Sequence, residues 1–217
     1  MKQTGFIFDL DGVLVDTAKY HFRSWQRIAD SLDFTLDTEV EEQLKGISRM
    51  DSLNIVLKEG GLTRTDEEKF KLTEKKNNWY LESLRDLDDS VVLSGVPAFL
   101  ENIKSLDVPM AVGSASRNAT LILERLGMTH YFRSIVDGNM VMKTKPDPEV
   151  FINAARNLQI KESNCIIFED SQKGIKAANT GGFRVIGIGS PEKLTEAEAV
   201  IPGFENQNYE SILALLN

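Results

Sequence analysis

Two carboxylates one residue apart, Asp9 and Asp11, follow directly on the apolar run Phe6-Ile7-Phe8 and precede Gly12. On a strand, side chains i and i+2 share a face, so this spacing presents both acids to one ligand. One carboxylate can attack phosphorus when a cation neutralises the phosphate oxygens. The other can protonate the leaving oxygen or take the proton of the incoming hydroxyl. Gly12 lets the chain turn closely around a bound anion or metal. Alone, the Asp-Leu-Asp-Gly string suits a polar turn equally well. A calcium loop of the EF-hand type is excluded, because its fifth and sixth positions would be Val13 and Leu14 instead of an oxygen ligand and Gly.

Later segments repeat the arrangement of an apolar run followed by polar chemistry. Met110-Ala111-Val112-Gly113 ends in Ser114-Ala115-Ser116, and Arg117-Asn118 opens a helical pattern that runs to Leu126 and stops at Gly127. A small hydroxyl beside the free amides of a helix start suits a phosphate. Lys145-Pro146-Asp147-Pro148 is a restricted loop in which Lys145 can supply a fixed positive charge, ahead of a helix over Val150 to Leu158. Cys165-Ile166-Ile167-Phe168 delivers Glu169-Asp170, and Ser171 starts a helix closed by Gly181-Gly182. Two acids at a strand end suit a hard divalent cation such as magnesium. Each station has a plain alternative as a helix cap, solvated charge or first-turn acid. Their succession favours a common crevice, because open parallel α/β sheets bind ligands outside the carboxyl ends of their strands.

In these four stations the chain resembles the haloacid dehalogenase superfamily of phosphotransferases, over nearly its whole length. The resemblance implies an α/β fold with a Rossmann-like parallel sheet core and an inserted helical cap domain. It makes Asp9 the nucleophile that forms an aspartyl phosphate and Asp11 the general acid and base, with Ser114 and Lys145 completing the catalytic set. Magnesium would be held by Asp9, the Asp11 carbonyl and Asp170, with Glu169 close by.

The elements that must position these residues show one interruption. After the first strand the α/β rhythm stops, and Thr17 to about Ser90 reads as helices: Ala18 to Leu32, Thr38 to Leu44, Arg49 to Glu59 and Thr65 to Leu87, with Gly60-Gly61 as a break. Strand-like patterning resumes near Met110. The expected organisation is a core of 1–16 and 91–217 with a cap of 17–90. Within the cap, Lys45-Gly46-Ile47-Ser48-Arg49-Met50-Asp51-Ser52 gathers two cations, hydroxyls and a flexible Gly between helices. Arg49 can grip phosphate oxygens bidentately. His21 and Trp25 are four apart on one helix and can equally be a packed pair, and Lys76 lies in a charged helix where solvated lysines are usual.

Those cap residues, with the Ser114-Ala115-Ser116 turn, resemble the β-phosphoglucomutase branch of the superfamily. That branch converts β-glucose 1-phosphate to glucose 6-phosphate, with β-glucose 1,6-bisphosphate as intermediate and activator. The resemblance implies that Arg49 holds the phosphate remote from the metal, assisted by Lys45, Gly46, Ser52 and Lys76. Ser116, Arg117 and Asn118 would bind the other side of the sugar phosphate, and Trp25 belongs to the same set. Thr17, His21 and Lys76 look like a relay tying cap closure to Asp11. Met50 departs from the branch, where Glu is usual. A sugar-phosphate or phosphoglycolate phosphatase of the same fold would share every core residue and differ in its cap contacts. A non-catalytic phosphosugar-binding module would bind metal and ligand without labelling Asp9.

Composition fits such an enzyme. The 217 residues suffice for one α/β core and a small insertion. No apolar run approaches the roughly 18 residues of a membrane span, and no secretory signal is read, so a cytoplasmic protein without a membrane partner is expected. The single cysteine, Cys165, sits in an expected buried strand and can form no internal disulfide. A net charge of -8 argues against nucleic acid as a partner, so local basic residues must draw in a small phosphorylated sugar. The branch suggests a monomer.

Overall fold

The structure is a computed structural model that describes residues 4–85 and 87–216. Residues 1–3 and Asn217 of the expected core, and Asp86 of the expected fourth cap helix, lie outside the described residues.

Six strands form one parallel sheet: β1 (Gly5–Phe8), β2 (Met110–Gly113), β3 (Ser134–Val136), β4 (Cys165–Glu169), β5 (Arg184–Ile188) and β6 (Ala199–Ile201), in the order β3-β2-β1-β4-β5-β6. Parallel strands are covered on both faces, so their sequences read as unbroken apolar runs. β1, β2 and β4 are buried at every position. Alternation divides the core. Phe6, Phe8 and Phe168 join Phe99 and Phe204 on one face, while Ile7 and Ile167 join Phe151 and Ile175 on the other. The order runs one way through β2 and β3 and the other way through β4 to β6, so β1 is the switch point, where a crevice opens beyond the strand ends.

The crossovers are α4 (Val96–Ser105), α5 (Ala119–Arg125), α6 (Glu149–Leu158) and α7 (Gln172–Thr180), and α8 (Tyr209–Leu215) closes the chain. Before them come α1 (Ala18–Asp30), a 3-10 segment (Thr38–Leu44), α2 (Arg49–Glu59) and α3 (Asp66–Ser83). Ser48 caps α2, and Thr65 with Glu68 forms a capping box on α3. These helices gather around their own apolar cluster, including Trp25, Ile28, Leu53 and Val56. The segment Thr38–Leu44, expected as a helix like its neighbours, forms tighter 3-10 turns. It buries only Val40, so no apolar stripe holds it in α-helical geometry. The expected helix from Thr65 begins at Asp66, with Thr65 as its cap, and ends at Ser83 before reaching Leu87.

Candidate active site

The switch point brings the strand-end stations together. Asp9 follows β1, Ser114 follows β2, Glu169 ends β4 and Asp170 follows it. Lys145 arrives from the loop between β3 and α6, and its fully buried ammonium donates to Asp9 Oδ1 at 2.7 Å and to Glu169 Oε2 at 2.7 Å. Glu169 Oε1 accepts from the Ser171 amide at 3.0 Å and its hydroxyl at 2.7 Å, so both oxygens of Glu169 are engaged. Gly12 has φ +83°, and a Cβ there would run into the Asp170 carboxylate. Glycine thus lets the loop after β1 close onto Asp170.

One carboxylate oxygen from each of Asp9, Glu169 and Asp170 lies within 4.8 Å of the others. Burial pushes Asp9 up to about 7. Lys145 opposes this rise, while Glu169 and Asp11 add to it. Burial, then Glu169 and Asp9, also lift Asp170 well above the ordinary carboxylate range, against Lys45 and Lys145. For Lys145 burial alone would lower the pKa, but Asp9 and Glu169 outweigh it and hold the ammonium charged. Two buried acids paired with one lysine and a third, half-buried acid beside them form a site short of positive charge and rich in hard oxygen donors, which fits a divalent cation such as magnesium. Lys145 and Ser171 take three of the roughly four acceptor positions of Glu169, and Asp9 gives one oxygen to Lys145 and keeps the other.

Asp11 stands outside that cluster. Its Oδ1 accepts the Thr17 hydroxyl and lies 3.7 Å from His21 Nε2. On the other side of the ring, Lys76 Nζ is 2.7 Å from His21 Nδ1. A Lys76 N–H donated to Nδ1 would put the ring hydrogen on Nε2, facing Asp11. Burial, then Lys76 and Arg49, keep His21 well below the usual imidazole range and therefore neutral. Lys76 itself is pushed down to about 7 by burial and Arg49, against Asp11. Burial raises Asp11, and the Thr17 hydroxyl and Lys76 oppose that rise. Thr17, His21 and Lys76 are thus brought together beside Asp11. His21 stacks on Tyr80, ring centroids 4.0 Å apart. Trp25 lies under the Lys76 side-chain nitrogen, 5.0 Å from ring centroid to nitrogen.

The insertion closes over the strand ends. Arg49 donates from Nη2 to Asn77 Oδ1 at 2.8 Å and from Nη1 to Glu74 at 3.3 Å. Lys45 pairs with Glu42 at 3.2 Å and lies 3.9 Å from Asp170. Ser52 donates to the Ser48 carbonyl, so its hydroxyl serves helix α2. Gly46 has φ +67°, and a Cβ there would collide with the Ser171 hydroxyl of the core. Further bonds across the divide join Thr144 to Asp51 at 3.0 Å and Lys173 to the Gln43 carbonyl at 3.2 Å. On the core side the Ser114 hydroxyl accepts from the Ser116 amide, and the Ser116 hydroxyl from the Asn118 amide.

These surfaces enclose a cavity of about 320 Å³, within the usual range of small-molecule sites. Asp9, Asp11, Ser114, Ala115, Ser116, Arg117, Asn118 and Asp170 line it from the core, and His21, Trp25, Lys45, Gly46, Arg49, Ser52 and Lys76 from the insertion. Thr17, Lys145 and Glu169 stand behind this wall and act on its members. Sequence reasoning missed Glu74, Asn77 and Tyr80. The buried face of α3 carries Thr73, Lys76 and Tyr80, a helical stripe of polar and aromatic residues that marks a face turned to a site. Cys165 is buried in β4 with its thiol pushed up to about 12 by burial, which makes it inert as a nucleophile.

Fold and site define an α/β enzyme that works at an acid-lined crevice beneath a helical insertion. The model of the haloacid dehalogenase-like hydrolase family matches residues 6–188, and the chain belongs to that family. It is 38% identical to the β-phosphoglucomutase of Bacillus subtilis (strain 168), over 90% of this chain and 87% of that protein. The crystal structure of β-phosphoglucomutase from Clostridium difficile superimposes with a TM-score of 0.94 at 36% identity, covering 99% of this chain and 97% of that one. A phosphorylated carbohydrates phosphatase of Thermotoga maritima is 30% identical, over 84% of this chain and 83% of that protein.

Proposed function

We propose that this protein is a magnesium-dependent β-phosphoglucomutase, interconverting β-D-glucose 1-phosphate and glucose 6-phosphate through an aspartyl phosphate on Asp9. The observation that carries the reading is a single cavity walled by the acid pair Asp9 and Asp11 from below and by Lys45, Arg49 and Lys76 from above. A bisphosphate intermediate must be held at both ends in either orientation: the cations of the upper wall would hold one phosphate, and a magnesium ion in the acid cluster would hold the other. The likeness to two β-phosphoglucomutases over most of the chain supports the same reading.

Bound magnesium, held by Asp9, Asp170 and the Asp11 carbonyl, would supply neutralising charge to the phosphoryl oxygens. The residues do the rest. The C6 hydroxyl of β-glucose 1-phosphate attacks the phosphorus carried by Asp9. Asp11 takes the hydroxyl proton, the bond from phosphorus to the Asp9 oxygen breaks, and β-glucose 1,6-bisphosphate results. After the intermediate has turned end for end, Asp9 attacks the C1 phosphate. The bond from phosphorus to the C1 oxygen breaks, Asp11 returns its proton to that oxygen, and glucose 6-phosphate leaves with Asp9 phosphorylated again. Lys145 fixes the attacking carboxylate, and Thr17 with the His21–Lys76 pair fixes Asp11. Arg49, Ser116, Arg117 and Asn118 hold the phosphate remote from Asp9, with Lys45, Ser52 and Trp25 around the sugar. Enclosure by the cap of 17–90 favours the sugar hydroxyl over water as acceptor.

The family relative that is a phosphatase favours a second reading, hydrolysis of a sugar phosphate. Phosphorus NMR of the protein with magnesium, β-glucose 1-phosphate and a trace of β-glucose 1,6-bisphosphate separates the two. Glucose 6-phosphate with little inorganic phosphate is expected, and inorganic phosphate as the main product would overturn the mutase. A cytoplasmic monomer acting on a small sugar phosphate completes the proposal. Among the described residues no helix is long and apolar enough to cross a membrane.

A further inference from the structure

Asn77, next to Lys76 on α3, joins the insertion to the core through one atom. A guanidinium has only donors, so the Asn77 atom 2.8 Å from Arg49 Nη2 is its carbonyl oxygen. The same oxygen accepts from Asn118 Nδ2 at 3.0 Å. Arg49 opens α2 in the insertion and Asn118 caps α5 in the core, and the two share no other acceptor in the network described above. Both line the cavity, whereas Asn77 does not. A guanidinium carries five N–H groups and a carboxamide two, so one bond from each to Asn77 leaves further donors for an anion. Without Asn77, Arg49 would keep its ion pair with Glu74, whose side chain is 47% exposed. A pair that open to solvent orients weakly.

We propose that Asn77 is a positioning residue that sets Arg49 and Asn118 as one anion cradle across the closing surface, for the phosphate that lies away from Asp9. The inference rests on the mutase reading for the identity of its ligand, a sugar bisphosphate.

Calorimetry on the inactive Asp9→Asn protein with magnesium and glucose 1,6-bisphosphate tests it without turnover. Adding Asn77→Ala, a change that favours an exposed helix, is expected to weaken bisphosphate binding roughly ten-fold, the order of one charge-assisted hydrogen bond. Adding it to protein already carrying Arg49→Ala is expected to cost clearly less, about three-fold at most, because only the bond from Asn118 is left for Asn77 to act through. In protein with Asp9 intact, Asn77→Ala should leave labelling of Asp9 by acetyl phosphate, followed by intact mass, within about two-fold, because that donor has no second phosphate. A full additional loss in the Arg49→Ala background would overturn the proposal, as would an equal loss with acetyl phosphate or no binding of the bisphosphate to the Asp9→Asn protein. Failure of the mutase reading would show separately, as inorganic phosphate in the NMR experiment.

Discussion

Asp9 and Asp11 are chemically alike and one residue apart, and their surroundings separate them. Asp9 is tied to the Lys145 ammonium, whereas Asp11 takes a neutral hydroxyl and faces a neutral imidazole. Divided environments assign divided roles to paired carboxylates. Asp9→Asn is expected to abolish phosphoenzyme, read by intact mass after acetyl phosphate, with circular dichroism unchanged. Asp11→Asn should cost about 10²–10⁴ in sugar-phosphate turnover yet retain labelling of Asp9 by acetyl phosphate, whose leaving group needs no proton. Loss of that labelling would remove Asp11 from the acid–base role. A pH dependence also belongs to this scale. Asp9 titrates at about 7 in the folded protein and near 3.9 in an unfolded chain. Between those values the folded state holds the extra proton, so the stability of chelator-treated protein must fall as pH rises through that window, by a few kcal/mol in order of magnitude. Asp170 shifts in the same direction. Magnesium bound there would take the place of the proton, and urea unfolding at about pH 5 and pH 8 should show a flatter dependence with the metal than with a chelator. Equal slopes would mean that the acid cluster holds no cation.

Elements decide how those residues meet. The loop after β1 and the loop before α2 each need a glycine in left-handed conformation pressed against the β4–α7 turn, Gly12 on Asp170 and Gly46 on Ser171. Gly46→Ala would add backbone strain of about 1–2 kcal/mol and a collision with the core that holds the insertion away. The expected outcome is a higher KM for β-glucose 1-phosphate and a larger share of the aspartyl phosphate lost to water, read as inorganic phosphate. An unchanged partition would show that this contact does not control closure. At this scale the sequence was legible where burial is periodic: the apolar runs at β1, β2 and β4, and the stripes of α1, α2 and α6. It was not legible at β3 and β6, three residues each, too short to show a period. The stripe Val96, Phe99, Leu100 and Ile103 of α4 is periodic as well.

Across the whole molecule, a net charge of -8 coexists with a cavity lined by Lys45, Arg49, Lys76 and Arg117. The field that receives a phosphate is therefore local, with three acids and Lys145 beneath it. Crossing bonds at Asn77–Asn118, Asp51–Thr144 and Gln43–Lys173 hold the closed arrangement. Each is a single polar contact that water can replace, so opening costs little and closure can be coupled to a phosphate gripped from both sides. A compact monomer of this length has a radius of gyration of about 17 Å, and small-angle scattering at several concentrations should return that value. A rise with concentration would make the protein an oligomer.

By itself the sequence determined the strand-end acids and the helical insertion, because alternation, apolar runs, caps and glycine stops act within a few residues of the chain, while the cavity residues of the insertion were implied by the resemblance to the β-phosphoglucomutase branch. Only the tertiary structure decided which of those residues touch. Lys145 meets Asp9 across 136 positions and Lys76 meets His21 across 55, distances over which no local pattern carries information. Asn77 has no signal in the chain beyond being a polar residue on a charged helix. Its two donors come from different parts of the fold, and only the strand order and the packing of α3 against α1 and α2 bring them to one oxygen.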